Sequence, residues 1–94
     1  MEKELEDLVA IIETIEYTTD DQYMTSIREE GSPVLAMVEM RKLQKSVRKI
    51  IEECEGDKRE LDKYNVYSRY ARCITREILL IDKVIKSMEL PGVE

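Results

Sequence analysis

Carboxylates are the most abundant reactive groups in this chain, and they fall in close sets: Glu13 with Glu16, Glu29 with Glu30, and Glu52 with Glu53 and Glu55. Paired carboxylates on helices can hold magnesium, and a helical pyrophosphohydrolase would use such a metal to engage its substrate's phosphates. That chemistry needs acidic sets repeated in register, and these clusters fall on separate segments without a repeated EExxE and ExxD arrangement. They read first as solvated helix faces. An acidic-cluster, metal-dependent phosphohydrolase is a remote alternative, and no residue is assigned as a metal ligand.

Other catalytic chemistry has less to build on. The chain has no histidine, no glycine-rich phosphate loop and no GxSxG turn, so the usual acid, base and nucleophile sets are missing. Cys54 and Cys73 form no CxxC pair, and two cysteines without histidine make a poor zinc set. Both read as reduced thiols in or beside a core. The expectation is a protein that is not an enzyme, with no catalytic residue and no cofactor.

Basic residues make the third candidate site. Arg41, Lys45 and Arg48 recur along one stripe, joined by Lys42 and Lys49, and Arg69, Arg72 and Arg76 along another, followed by Lys83 and Lys86. Guanidinium and ammonium groups spaced along rigid helices could bind phosphates, with Tyr64, Tyr67 and Tyr70 near enough for base stacking. Charge argues against that use: the net charge is −6, and a nucleic-acid footprint usually shows as a high isoelectric point. Its distribution is uneven, because residues 1–31 hold ten acidic and two basic side chains while the remainder holds eleven and thirteen. An acidic first segment lying against basic later ones would pair the fields internally. Paired or solvated faces are the primary reading, and a nucleic-acid-associated regulatory protein is the alternative.

The elements that must position these groups are legible from periodicity. The 94 residues, 43% hydrophobic and 38% charged with only three glycines and two prolines, suit a single domain of amphipathic helices. Met1, Leu5, Leu8, Ile12 and Ile15 mark a helix over 2–17. Thr18, Thr19 and Asp20 interrupt it, and Thr19 with Gln22 three residues on has the form of a capping box for a segment over 20–30. A helix continuous through residues 18–20 is the competing reading.

Gly31, Ser32 and Pro33 spell a helix stop, an N-cap and a first helical position. The spacing of Ala36, Met40, Leu43, Val47, Ile50 and Cys54 then predicts a helix over 34–55, ended by Gly56. Asp57 with Glu60 suggests the cap of the next helix, over 58–89, whose seam is Tyr67, Ala71, Ile74, Ile78, Ile81, Ile85 and Met88 before Leu90, Pro91 and Gly92 stop it. The fold class is therefore all-α: a long helical hairpin with the N-terminal segments added as a third arm. It amounts to an antiparallel three-helix bundle with coiled-coil-like packing.

Level-matching along the hairpin separates Cys54 from Cys73 by roughly 20 Å, too far for a disulfide. It also brings Val34, Leu35, Met37 and Val38 beside residues 75–80 at the open end, where Leu79 and Leu80 lie off the seam. A helix facing one core does not need that much apolar circumference. Either the segment around Tyr23, Met24 and Ile27 covers it or a second copy of the chain does.

Val34, Leu35, Met37, Leu79 and Leu80 are thus the expected interface of a homodimer. The functional expectation is a small α-helical interaction protein, an adaptor or regulator that self-associates and docks a protein partner by helix-face recognition. The acidic start MEKELEDL and the lack of a long uncharged apolar run point away from a membrane and toward the cytoplasm.

Overall fold

The computed structural model describes residues 3–56 and 61–91, and every regular element among them is an α-helix. In chain order these are α1 (Lys3–Tyr17), α2 (Asp20–Glu30), α3 (Pro33–Glu55) and α4 (Leu61–Ser87). The expected cap at Asp57 and Glu60 lies outside the described residues, as do Met1 and Gly92.

The break between α1 and α2 is chemical. Thr19 adopts an extended conformation, with φ −72° and ψ 152°. Its hydroxyl accepts from the Gln22 N–H at 3.3 Å while its own N–H donates to Gln22 Oε1 at 3.3 Å, closing the capping box. Gly31 sits at φ +146° and ψ −145°, a region essentially reserved for glycine, so the chain leaves α2 at the one residue able to do so. Ser32 then caps α3 by accepting from the Leu35 N–H, and Pro33 occupies the first turn. Gly56 stops α3 as expected but in a right-handed conformation, so the left-handed freedom of glycine is not what ends that helix.

The end of α4 departs from expectation by two residues. Glu89 takes a positive φ of 55°, its N–H donates to the Lys86 carbonyl at 3.2 Å, and the Leu90 N–H donates to the Ile85 carbonyl at 3.1 Å. This is a Schellman closure with glutamate in the place glycine usually takes, sealed by Leu90 packing back on the core. Because α4 stops at Ser87, Met88 leaves the predicted seam and is 43% exposed.

α4 is the centre of the molecule, with α3, α1 and α2 all packed on it. Its buried residues form two stripes, Ile74, Ile78, Ile81 and Ile85, and beside them Cys73, Glu77, Leu80 and Val84. Together they span an arc of roughly 160° at 100° per residue. One neighbour cannot bury so wide an arc, and three do. The first stripe joins Met37 and Val47 of α3 in the main core, against which Tyr23 and Ile27 of α2 also pack. α1 contributes the buried Leu5 and Ile12.

On α3 the expected seam holds in part, with Val47 buried and Ala36 and Met40 packed on the core, but it is joined by a neighbouring position. Met37 is buried while its neighbour Ala36 is half-buried, and Leu43 is 39% exposed. The stripes beginning at Ala36 and at Met37 share Met40, Val47 and Cys54, so spacing alone does not choose between them. The larger Met37 side chain fills core volume that Ala36 would leave empty.

The chain measures 46 × 27 × 16 Å with a radius of gyration of 14.7 Å, against about 12 Å for a compact domain of this length. No helix among the described residues is long and apolar enough to cross a membrane.

Candidate interaction surfaces

The arginine row of α4 is largely taken up within the chain. Arg69 makes a two-pronged bridge to Glu16 of α1, Nε to Oε1 at 2.9 Å and Nη2 to Oε2 at 2.7 Å. Arg76 donates from Nη1 to the Ile15 carbonyl at 2.9 Å and from Nη2 to the Thr18 carbonyl at 3.1 Å and to Asp20 Oδ1 at 2.6 Å. A single guanidinium thus covers the C-terminal carbonyls of α1 and the first residue of α2, a cation where the helix dipole is negative.

The bridging hydrogen bond from Arg69 is the main cause that holds the Glu16 carboxyl below its ordinary range, and Glu16 in turn raises Arg69. These groups are well exposed to water, so the bridges specify position more than they stabilise. Farther along, Arg28 of α2 donates to Ser87 Oγ at 2.8 Å. α2 therefore begins beside Arg76 and ends beside Ser87, running with α4. Arg72, between the two bridging arginines, stays exposed.

The second buried stripe of α4 contains a carboxylate. Glu77 is 8% exposed, with the Tyr23 hydroxyl and the Arg76 guanidinium near enough to act on its carboxyl. Desolvation raises the Glu77 carboxyl above its ordinary value, against the opposing effects of the Tyr23 hydroxyl and Arg76. Burial, reinforced by the Glu77 charge, pushes the Tyr23 phenol well up. Cys73, one turn before Glu77, is buried and its thiol is raised chiefly by desolvation, which disfavours the thiolate that nucleophilic chemistry would need. Sequence reasoning passed over Glu77. Its signal was a lone acid in the apolar series Cys73, Leu80, Val84.

The five residues expected at a dimer interface separate into two groups. Met37 and Leu80 are 2% and 4% exposed and lie inside the chain's own core, so neither is available on the outer surface. Leu35 and Leu79 are 65% and 59% exposed, and Val34 is half-buried against the core. Of the segment foreseen as a cover for the open end, Tyr23 and Ile27 pack against the main core, and Leu79 is left bare.

On α3 the basic residues Arg41, Lys45 and Arg48 are exposed. Of the three tyrosines near the basic faces, Tyr67 packs against the core as its seam position implies, Tyr70 packs there too, and Tyr64 donates to Glu55 Oε1 at 3.2 Å. Lys86 pairs with Asp82 one turn away at 2.8 Å. Among the described residues no group of three or more His, Cys, Asp or Glu side chains is arranged to hold a metal ion, so the acidic sets are not brought together into a metal centre. Compared with known proteins, the chain matches no family model, no curated sequence and no solved structure.

Proposed function

We propose that this chain is a non-enzymatic helical interaction protein that self-associates through the outward leucines of α3 and α4 and serves as an adaptor or regulator. The observation that supports it is surface area. The chain exposes 6748 Å², whereas a folded monomer of 11.1 kDa exposes about 5,700 Å² by the usual scaling with mass. The excess goes with the elongated shape, 46 × 27 × 16 Å, which leaves long helix faces open to a partner.

Leu35 of α3 and Leu79 of α4 are the outward leucines of this reading, with Leu43 a lesser third; Leu61, equally bare, is the first residue of α4 and lies far from Leu79 along that helix. The occupant is a second copy, since two elongated chains stacking helix on helix would each hide the area the other leaves open. In this reading α3 packs on α4 in the left-handed, knobs-into-holes manner, with α1 and α2 as the third arm of a bundle. The three-and-four spacing of the Ile74 to Ile85 stripe supports that packing. The two free cysteines suit a reducing compartment such as the cytoplasm.

Multi-angle light scattering tests the proposal. The expected mass is twice 11.1 kDa at tens of micromolar, falling to the single-chain mass in the double variant Leu35→Glu, Leu79→Glu with helicity unchanged. A wild-type chain that stays monomeric at high micromolar concentration overturns it.

A further inference from the structure

Three guanidiniums converge on one shallow groove where the end of α1 meets α4. Its walls are Arg69, Arg72, Arg76, Glu16 and Cys73, and it encloses about 240 Å³, several times the roughly 30 Å³ that a water molecule occupies in the liquid. Among the residues that line it, three guanidiniums face one carboxylate, Glu16. Asp20 holds Arg76 at the edge, and Glu13 and Glu77 act on Arg69 and Arg76 from beside the groove, so Arg72 is the member of the row that makes no ion pair among the described residues.

The donors are also in surplus. Glu16 occupies two N–H groups of Arg69, Arg76 is committed to two carbonyls and Asp20, and the guanidinium of Arg72 remains exposed at the groove with its five donors. A carboxylate carries one charge and two oxygens, fewer than this site can satisfy.

We infer that the groove is a phosphate-binding site in which the Glu16 carboxylate is the resident occupant, exchanged for the phosphoryl group of an incoming ligand held by Arg69 and Arg72. A phosphate dianion brings two charges and more acceptor oxygens to Arg69 and Arg72, where the Glu16 carboxylate brings one charge and two oxygens. Its tetrahedral oxygens accept from two forks where the carboxylate accepts from one. Arg76 stays on the α1 carbonyls and keeps the wall in place during the exchange. The buried Cys73 thiol forms the floor and takes no part in binding.

The same phosphoryl chemistry could come from a small phosphate ester or from a nucleic-acid backbone, and titration separates the two. Inorganic phosphate is added to the ¹⁵N-labelled full chain at constant ionic strength, with chloride as the balancing anion. Saturable amide shifts are expected around Glu16, Arg72 and Cys73. Arg72→Ala, at an exposed position, should weaken binding about tenfold, the worth of one charge-assisted contact. Glu16→Gln should tighten it several-fold by removing the competitor.

A single-stranded oligonucleotide lacking terminal phosphates forms the second arm. Tighter binding with the same Arg72 dependence assigns the site to backbone phosphates, and binding of inorganic phosphate alone assigns it to small esters. The inference fails if neither wild type nor Glu16→Gln gives saturable shifts with either probe, or if the shifts are indifferent to Arg72→Ala.

Discussion

Glu77 is the residue at which a polar group goes most deeply into the apolar part of the structure. Its carboxyl is retained beside Cys73, Leu80 and Val84 because Tyr23 offers a hydroxyl and Arg76 a positive charge, and among the described residues no buried side-chain nitrogen or oxygen lacks a partner. Desolvation still dominates and raises the group. The folded state therefore binds the proton more tightly than the unfolded chain, and stability falls as pH rises from the ordinary glutamate range through the raised value. Glu77→Gln keeps an acceptor for Tyr23 and has no charge to desolvate. Urea titrations of both proteins from pH 4 to pH 7.5 should show the variant gaining on wild type as pH rises, and a constant difference would contradict the assignment. Glu16 has the opposite sign, since its lowered carboxyl contributes stability that is lost as pH falls, but it is common to both proteins and leaves their difference untouched. A lone acid in an apolar stripe was visible in the residues; that it lies under Tyr23 was not, because the partner is 54 positions away in the chain.

Helix ends were the most legible feature at the level of elements. A cap is a contact among four or five consecutive residues, so the Thr19 box and the turn through Gly31, Ser32 and Pro33 follow from their residue types wherever the helices go. Two termini make paired predictions of opposite sign. Gly31→Ala meets open space, with nothing within 4 Å of the new Cβ, yet it should cost about 1–3 kcal/mol because the backbone there is all but closed to other residues. Glu89→Gly should stabilise by about 0.5–1 kcal/mol, relief of the left-handed penalty outweighing the added freedom of the unfolded chain. Thermal and denaturant unfolding read both. The stop of α4 two residues early was hidden, because nothing in Glu89 as a residue type announces a left-handed conformation. The closure depends on Leu90 finding the core.

At the scale of the whole molecule, α4 acts as a spine buried on two stripes and bare on the remainder. Adjacent residues therefore have opposite weights. Leu80→Ala should cost about 2–5 kcal/mol, as a buried large-to-small change does, while Leu79→Ala should stay within about 0.5 kcal/mol in the isolated chain. Equal effects in denaturant unfolding at low protein concentration would mean that the two stripes are misassigned. The same asymmetry leaves Leu79 outward, as Leu35 is on α3, and these are the residues that the proposed self-association would use.

The residues by themselves marked the helical segments and the caps at Thr19 and Ser32, with a continuous helix through 18–20 left as the competing reading. They also marked an acidic first third ahead of a slightly basic remainder. Each follows from interactions among near neighbours or from simple sums of charge. Only the tertiary structure decided that Met37 is buried beside a half-buried Ala36, that Leu80 is hidden while Leu79 is bare, and that Glu16 and Asp20 occupy arginines of α4. Those choices rest on contacts between residues more than fifty positions apart, or on shape competition between overlapping stripes. A period of three and four leaves both open.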